Sequence, residues 1–183
     1  MNQDMADNIQ YGGELAPGFP KGRETYAKLL VPILTMESDF NQIDELIHQP
    51  DGAGLDKAAQ ILSQSKYDKK EFKKVFNAFA DNIYYSDPDR ANLYLGGGAT
   101  PKNEQSIAYL LRNDILTNME YLQTEVVYVK KMQQKIQSGE EKDPLEVDDM
   151  YDYASKARIA MGKYLELVPP GELKLGRSLL SQL

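Results

Sequence analysis

Glu45-Leu46-Ile47-His48 has the spacing of a metal-ligating pair on a helix. Di-metal carboxylate sites in helical bundles use a Glu-x-x-His motif on each of two helices. This chain supplies half of that pattern, because His48 is its single histidine. A histidine near a helix end also has a plain structural use, since its cation suits the dipole there. The acids Glu140, Glu141, Asp143, Glu146, Asp148, Asp149 and Asp152 face only Lys142. Several fall in the first turns of a helix, where negative charge is favoured; weak cation binding is the alternative use. Neither Asp51-Gly52 nor Asp87-x-Asp89 continues into the ligand spacing of a calcium loop. Gly96-Gly97-Gly98 lacks the Gly-Lys-Ser/Thr ending of a phosphate loop, and no strand precedes it. No Ser/His/acid set is recognisable. The absence of cysteine removes disulfides, thiolate metal sites and cysteine nucleophiles. These residues lead to the expectation of a protein that is not an enzyme, with no catalytic residue, resident metal or cofactor.

Charge is the stronger signal. The net charge of −7 argues against a nucleic-acid-binding role, which needs a basic footprint. Lys66, Lys69, Lys70, Lys73 and Lys74 nevertheless stand against only Asp68 and Glu71, a local charge of +3. Such a patch is either a solvated helix face or a docking surface for an acidic partner. After Pro170, five leucines accompany Lys174 and Arg177. That segment either folds back or binds a partner, because leucines left in water are costly. No apolar run approaches the ~20 residues of a membrane span. The polar start from Met1 to Asn8 is neither a signal nor a transit peptide. The expectation is a cytosolic protein, or the mature form of an imported one.

Helices must position these groups. Residues 1–22, with Gly12-Gly13, Pro17-Gly18 and Pro20, read as an extended arm. Tyr26, Leu29, Ile33, Met36, Phe40, Ile43 and Ile47 follow a seven-residue repeat and predict a helix from about Arg23 to His48. Pro32 inside it predicts a kink, and Pro50-Asp51-Gly52 ends it. A short helix follows over Leu55–Gln64. Asp68, with Glu71 three residues on, opens a second long helix as a capping box would; Phe72, Val75, Phe76, Phe79 and Ile83 form its stripe. Thr100 to Gln137 reads as one uninterrupted helix, roughly 54 Å long. Its stripe is Ile115, Met119, Leu122, Val126, Val129 and Ile136. A fourth helix, expected over Leu145–Leu167, carries Val147, Tyr151, Ala154, Ala157, Met161 and Leu165, and Pro169-Pro170-Gly171 stops it. The predicted fold is all-α: an up-down four-helix bundle over residues 23–168, with the N-terminal arm and a C-terminal tail over 169–183.

The distinctive stretch joins the second and third long helices. Tyr67-Asp68-Lys69-Lys70 leads to Phe76-Asn77 and Asp81-Asn82-Ile83-Tyr84-Tyr85. Asp87-Pro88-Asp89-Arg90-Ala91-Asn92, the Gly96-Gly97-Gly98 turn and Arg112-Asn113 follow. In these motifs the chain resembles the PsbQ-like extrinsic proteins of photosystem II, in their red-lineage form. Green-line members are typically basic, so this acidic chain is more similar to the acidic extrinsic subunit of diatoms. The resemblance implies a lumenal chloroplast protein, peripheral to the thylakoid membrane and monomeric when free. It implies docking on photosystem II core subunits beside other extrinsic proteins. Such proteins support oxygen evolution by stabilising the manganese cluster and retaining calcium and chloride. The residues expected at the docking face are Lys66, Lys69, Lys70, Lys73, Lys74, Tyr84, Tyr85, Arg90, Lys174 and Arg177. A helical adaptor that holds a protein partner outside photosynthesis is the alternative reading of the same residues, and a metal-dependent bundle enzyme is a third.

Overall fold

A computed structural model describes residues 27–81 and 100–183. Among them are six α-helices, two single 3-10 turns and no strand, so this part of the protein is all-α. The helices are α1 (Val31–Ile47), α2 (Leu55–Leu62), α3 (Lys69–Ala80), α4 (Thr100–Ser138), α5 (Asp148–Glu166) and α6 (Pro170–Leu180). The N-terminal arm, Tyr26, Ile83 and the glycine-rich connection lie outside the described residues. No described helix is long and apolar enough to cross a membrane.

Local chemistry sets most boundaries. The helix expected across Pro32 is interrupted just before it, with Ala27 and Lys28 helical on the near side. Leu29 and Leu30 form a turn and α1 begins at Val31, so Pro32 occupies the first turn, where a missing N–H costs nothing. The Leu34 N–H reaches the Leu30 carbonyl at 2.8 Å. Asp68 has extended backbone (φ −62°, ψ 134°) and its carbonyl accepts the Phe72 N–H, as an N-cap does. At the end of α4, Gly139 takes φ +77°. Its N–H bonds to the Ile136 carbonyl and that of Glu140 to Lys135, which is a Schellman stop. The fourth predicted helix starts three residues late, at Asp148. Val147 serves as its cap by accepting the Tyr151 N–H at 3.1 Å, and Asp148 and Asp149 then fall in the first turn.

The chain divides into two compact units. One comprises Met36–Phe72 and Asn113–Met161. Its core holds Met36, Phe40, Ile43 and Ile47 of α1, Leu55, Ala58 and Leu62 of α2, and Ile115, Met119, Leu122, Val126 and Val129 of α4. Met150, Ala154, Ala157 and Met161 of α5 complete it. Polar contacts fix the direction of each helix pair. Gln123 donates to the Leu62 carbonyl at 2.7 Å, Lys130 pairs with Asp56, and Gln133 donates to the Asp51 carbonyl. Partners ascend on one side as they descend on the other, so this part of α4 is antiparallel to α2. Arg158 likewise joins Asn41 at 3.1 Å and Asp44 at 2.6 Å, while Tyr151 meets His48, so α5 is antiparallel to α1 there.

The other unit comprises Met1–Thr35, Lys73–Arg112 and Gly162–Leu183. Tyr164 sits at its centre, fully buried. The phenol donates to the Phe76 carbonyl at 3.0 Å and the ring meets Phe76 edge-on at 4.9 Å. Burial pushes the phenol well above its ordinary pKa. Arg112 donates to Asn77 and Tyr109 to Asp81, again an antiparallel order, and Gln105 donates to the Ala80 carbonyl at 3.3 Å. Residues 171–183, expected as a tail, are mostly helical. Pro170 opens α6 at its first position, where it is tolerated, and Gly176 lies against Leu30 and Leu34. The segment folds back at Gly176, which leaves Leu173, Leu175, Leu179 and Leu180 half-buried and Leu183 exposed.

Candidate functional site

The lysines expected at a docking face differ in what they do. Lys66 is committed to the fold. It pairs with Asp39, with its ammonium 5.4 Å from the Tyr67 ring centre. Asp39 also accepts a hydrogen bond from the Tyr67 hydroxyl at 2.7 Å. Tyr67 is 2% exposed, and burial first, then the Asp39 carboxylate, raises its phenol far above the ordinary value. The Lys66–Asp39–Tyr67 group therefore locks the turn before α3 onto α1. Lys66 is consequently poor as a docking charge, although its place in the sequence made it look equivalent to its neighbours.

Lys69 and Lys70 stand in the first turn of α3 with exposed side chains. Lys69 lies 3.6 Å from Glu120, a loose and largely solvated pair. Further along the helix, Lys73 is half-buried and Lys74 exposed. Helical geometry turns Lys70 and Lys74 away from the side that buries Phe72, Phe76 and Phe79. Lys174 and Arg177 are exposed on α6. Tyr84, Tyr85 and Arg90 lie outside the described residues. Of the expected surface, the described residues thus present to solvent the lysine-bearing side of α3 and, on α6, Lys174 and Arg177.

The first of the two units contains a cavity of about 690 Å³ that periodicity did not reveal. Its floor is apolar, with Ile47, Leu55, Val129 and Met150, and its rim carries Gln133 and the His48–Tyr151 pair. The two rings stack at 4.2 Å and 13°. His48 Nδ1 lies 2.7 Å from the Asp44 carbonyl, which assigns the proton to Nδ1. Asp51 at φ 55° and Gly52 at φ 66° turn the chain tightly along this rim. Gly54 beneath them is obligatory, because a Cβ there would overlap the Leu46 carbonyl. The size lies within the usual range of ligand pockets, ~300–1,000 Å³.

Among the described residues no group of three or more His, Asp or Glu is arranged to hold a metal ion. Glu141 accepts the backbone N–H of Lys142 at 3.0 Å and that of Asp143 at 3.4 Å, which holds its carboxyl below the ordinary range. Glu125 is raised, by desolvation first and then by the charges of Asp149 and Glu146. Asp152 pairs with Lys156 one turn on.

Comparison with protein-family models, with curated proteins and with solved structures returns no significant match.

Proposed function

We propose that this protein is a non-catalytic docking subunit, and specifically an extrinsic lumenal subunit of photosystem II of the PsbQ-like, red-lineage type. In this reading α1, α2 with α3, α4 and α5 form an up-down four-helix bundle. The antiparallel order of polar partners within each unit supports that arrangement. The observation that carries the docking role is the solvated lysine side of α3 on a chain of net charge −7. Clustered exposed cations on an acidic protein give it a preferred face toward an acidic partner. The subunit would act by covering the lumenal side of the core, limiting loss of calcium and chloride from the manganese cluster.

The test is rebinding to salt-washed photosystem II particles from a red-lineage alga, with oxygen evolution measured alongside. Saturable, salt-sensitive binding that restores part of the activity is the expected result. The double reversal Lys69→Glu and Lys70→Glu is expected to weaken binding about tenfold or more and to flatten its salt dependence. Absence of binding with the other extrinsic proteins present would reject the photosystem reading and leave the helical adaptor in first place.

A further inference from the structure

A second contact surface, of opposite character to the lysines, lies in the unit that holds the cavity. Tyr121 and Tyr128 are seven residues apart on α4 and therefore share a face. They are 53% and 48% exposed. Tyr153 of α5 lies beside Tyr121, ring centres 5.2 Å apart. Large rings left in water are the residues that most often anchor protein interfaces. At one end of this tyrosine row is a cleft of about 160 Å³. That volume is well below the ~300 Å³ at which small-molecule pockets begin, and suits a single long side chain.

The walls state which side chain. Met132, Ile136 and Leu145 offer aliphatic surface along the cleft, and Tyr128 offers an aromatic ring. Glu141, Asp143 and Glu146 supply three carboxylates; among the described residues no lysine or arginine lines the cleft, and the one cation felt there is Lys135, which acts on Glu141 from outside it. The backbone N–H groups of Lys142 and Asp143 hold Glu141 ionised. An aliphatic stem ending in a cation satisfies all of these at once: methylenes on the apolar wall, charge against the ring and the carboxylates. A neutral apolar side chain would leave the carboxylates desolvated and unmatched, and an acidic one would be repelled.

We propose that the Tyr121–Tyr128–Tyr153 face and its acidic cleft form a docking site for a basic segment of a protein partner, with one arginine or lysine side chain entering between Tyr128, Leu145 and the three carboxylates. The site is independent of the lysine side of α3 and of the photosystem reading.

The test uses the full chain and two acetylated, amidated peptides, hexa-arginine and hexa-glutamine, titrated by calorimetry at low salt. Hexa-arginine is expected to bind and hexa-glutamine not to. Combining Tyr128→Ala with Glu146→Gln is expected to weaken hexa-arginine binding about five- to tenfold, from the loss of one cation–π contact and one ion pair. Glu141→Gln with Glu146→Gln, which leaves every ring in place, is expected to weaken it several-fold. Glu45→Gln with Glu166→Gln removes the same charge at exposed positions elsewhere and is expected to leave the affinity within about twofold. Equal weakening by this control pair would show attraction to net charge alone and overturn the proposal, as would binding of hexa-glutamine or failure of hexa-arginine to bind.

Discussion

Two helical glycines that local propensity treats alike should respond oppositely to one substitution. Gly162 lies in α5 and Gly176 in α6. Valine is a slightly better helix former than glycine, by about 0.3 kcal/mol on host–guest scales. A Cβ at Gly162 would meet nothing within 4 Å, so Gly162→Val should leave stability unchanged or raise it by that small amount. A Cβ at Gly176 would lie 3.2 Å from Leu30 Cβ and 3.2 Å from Leu34 Cδ1. Both leucines are at most 1% exposed and have little room to withdraw. The two further methyls of valine must then displace α6 or repack those leucines, at about 1–3 kcal/mol. For a chain of this size each kcal/mol is about 2–4 °C of Tm. Gly176→Val should therefore lower Tm by roughly 2–12 °C, while Gly162→Val should move it by about 1 °C or less. Thermal unfolding followed by circular dichroism reads both, and limited proteolysis after Lys174 and Arg177 reads release of the terminal helix. A Tm for Gly176→Val equal to that of Gly162→Val would refute the seating of α6 on α1. It would also return the terminal leucines to the role of a partner-binding tail.

Two further outcomes follow from titrating groups. Tyr67→Phe removes one hydrogen bond to Asp39 but leaves Lys66 in place; the expected cost is about 1.5 kcal/mol, seen in urea unfolding at pH 7. Because the Tyr67 phenol is raised in the folded protein, the stability it supplies is present below about pH 10 and lost above it, so the deficit of the variant should shrink in alkali. Glu125 is also raised, so its charged form costs stability once pH climbs through and above the unfolded value of 4.5. Glu125→Gln should stabilise by a few tenths of a kcal/mol at pH 7 and by nothing near pH 3.5, where the wild-type group is protonated; equal shifts at both pH values would place the cause elsewhere.

Much of the secondary structure was legible from short-range pattern. Ile33, Met36, Phe40, Ile43 and Ile47 repeat at helical spacing, as do Ile115, Met119, Leu122, Val126 and Val129, and all ten are buried. The stop at Gly139 and the punctuation at Pro50 and Pro169 were equally local, because they act through φ and the missing N–H of single residues. Periodicity was less reliable at helix edges. It assigned Leu29 inward, where it is half-buried, and passed over Leu30, Met150 and Tyr164, which are enclosed. A spacing rule identifies a favoured side of a helix. It does not say how wide a stripe the neighbouring elements will cover.

The candidate sites were legible only as composition. The sequence established that the chain is acidic, that lysines cluster at 66–74, that acids cluster at 140–152, and that amphipathic helices carry them. Each of these follows from residue type and near-neighbour spacing. Tertiary structure decided which charges are already spent. Lys66 is taken up by Asp39, 27 positions away in sequence, while Lys70 remains in solvent. It also brought Tyr121 beside Tyr153, and set Tyr128 in one cleft with Leu145 and Glu146. The physical reason is register. How far one helix slides along another before their side chains interlock is set by the whole packed core, and no local repeat encodes it.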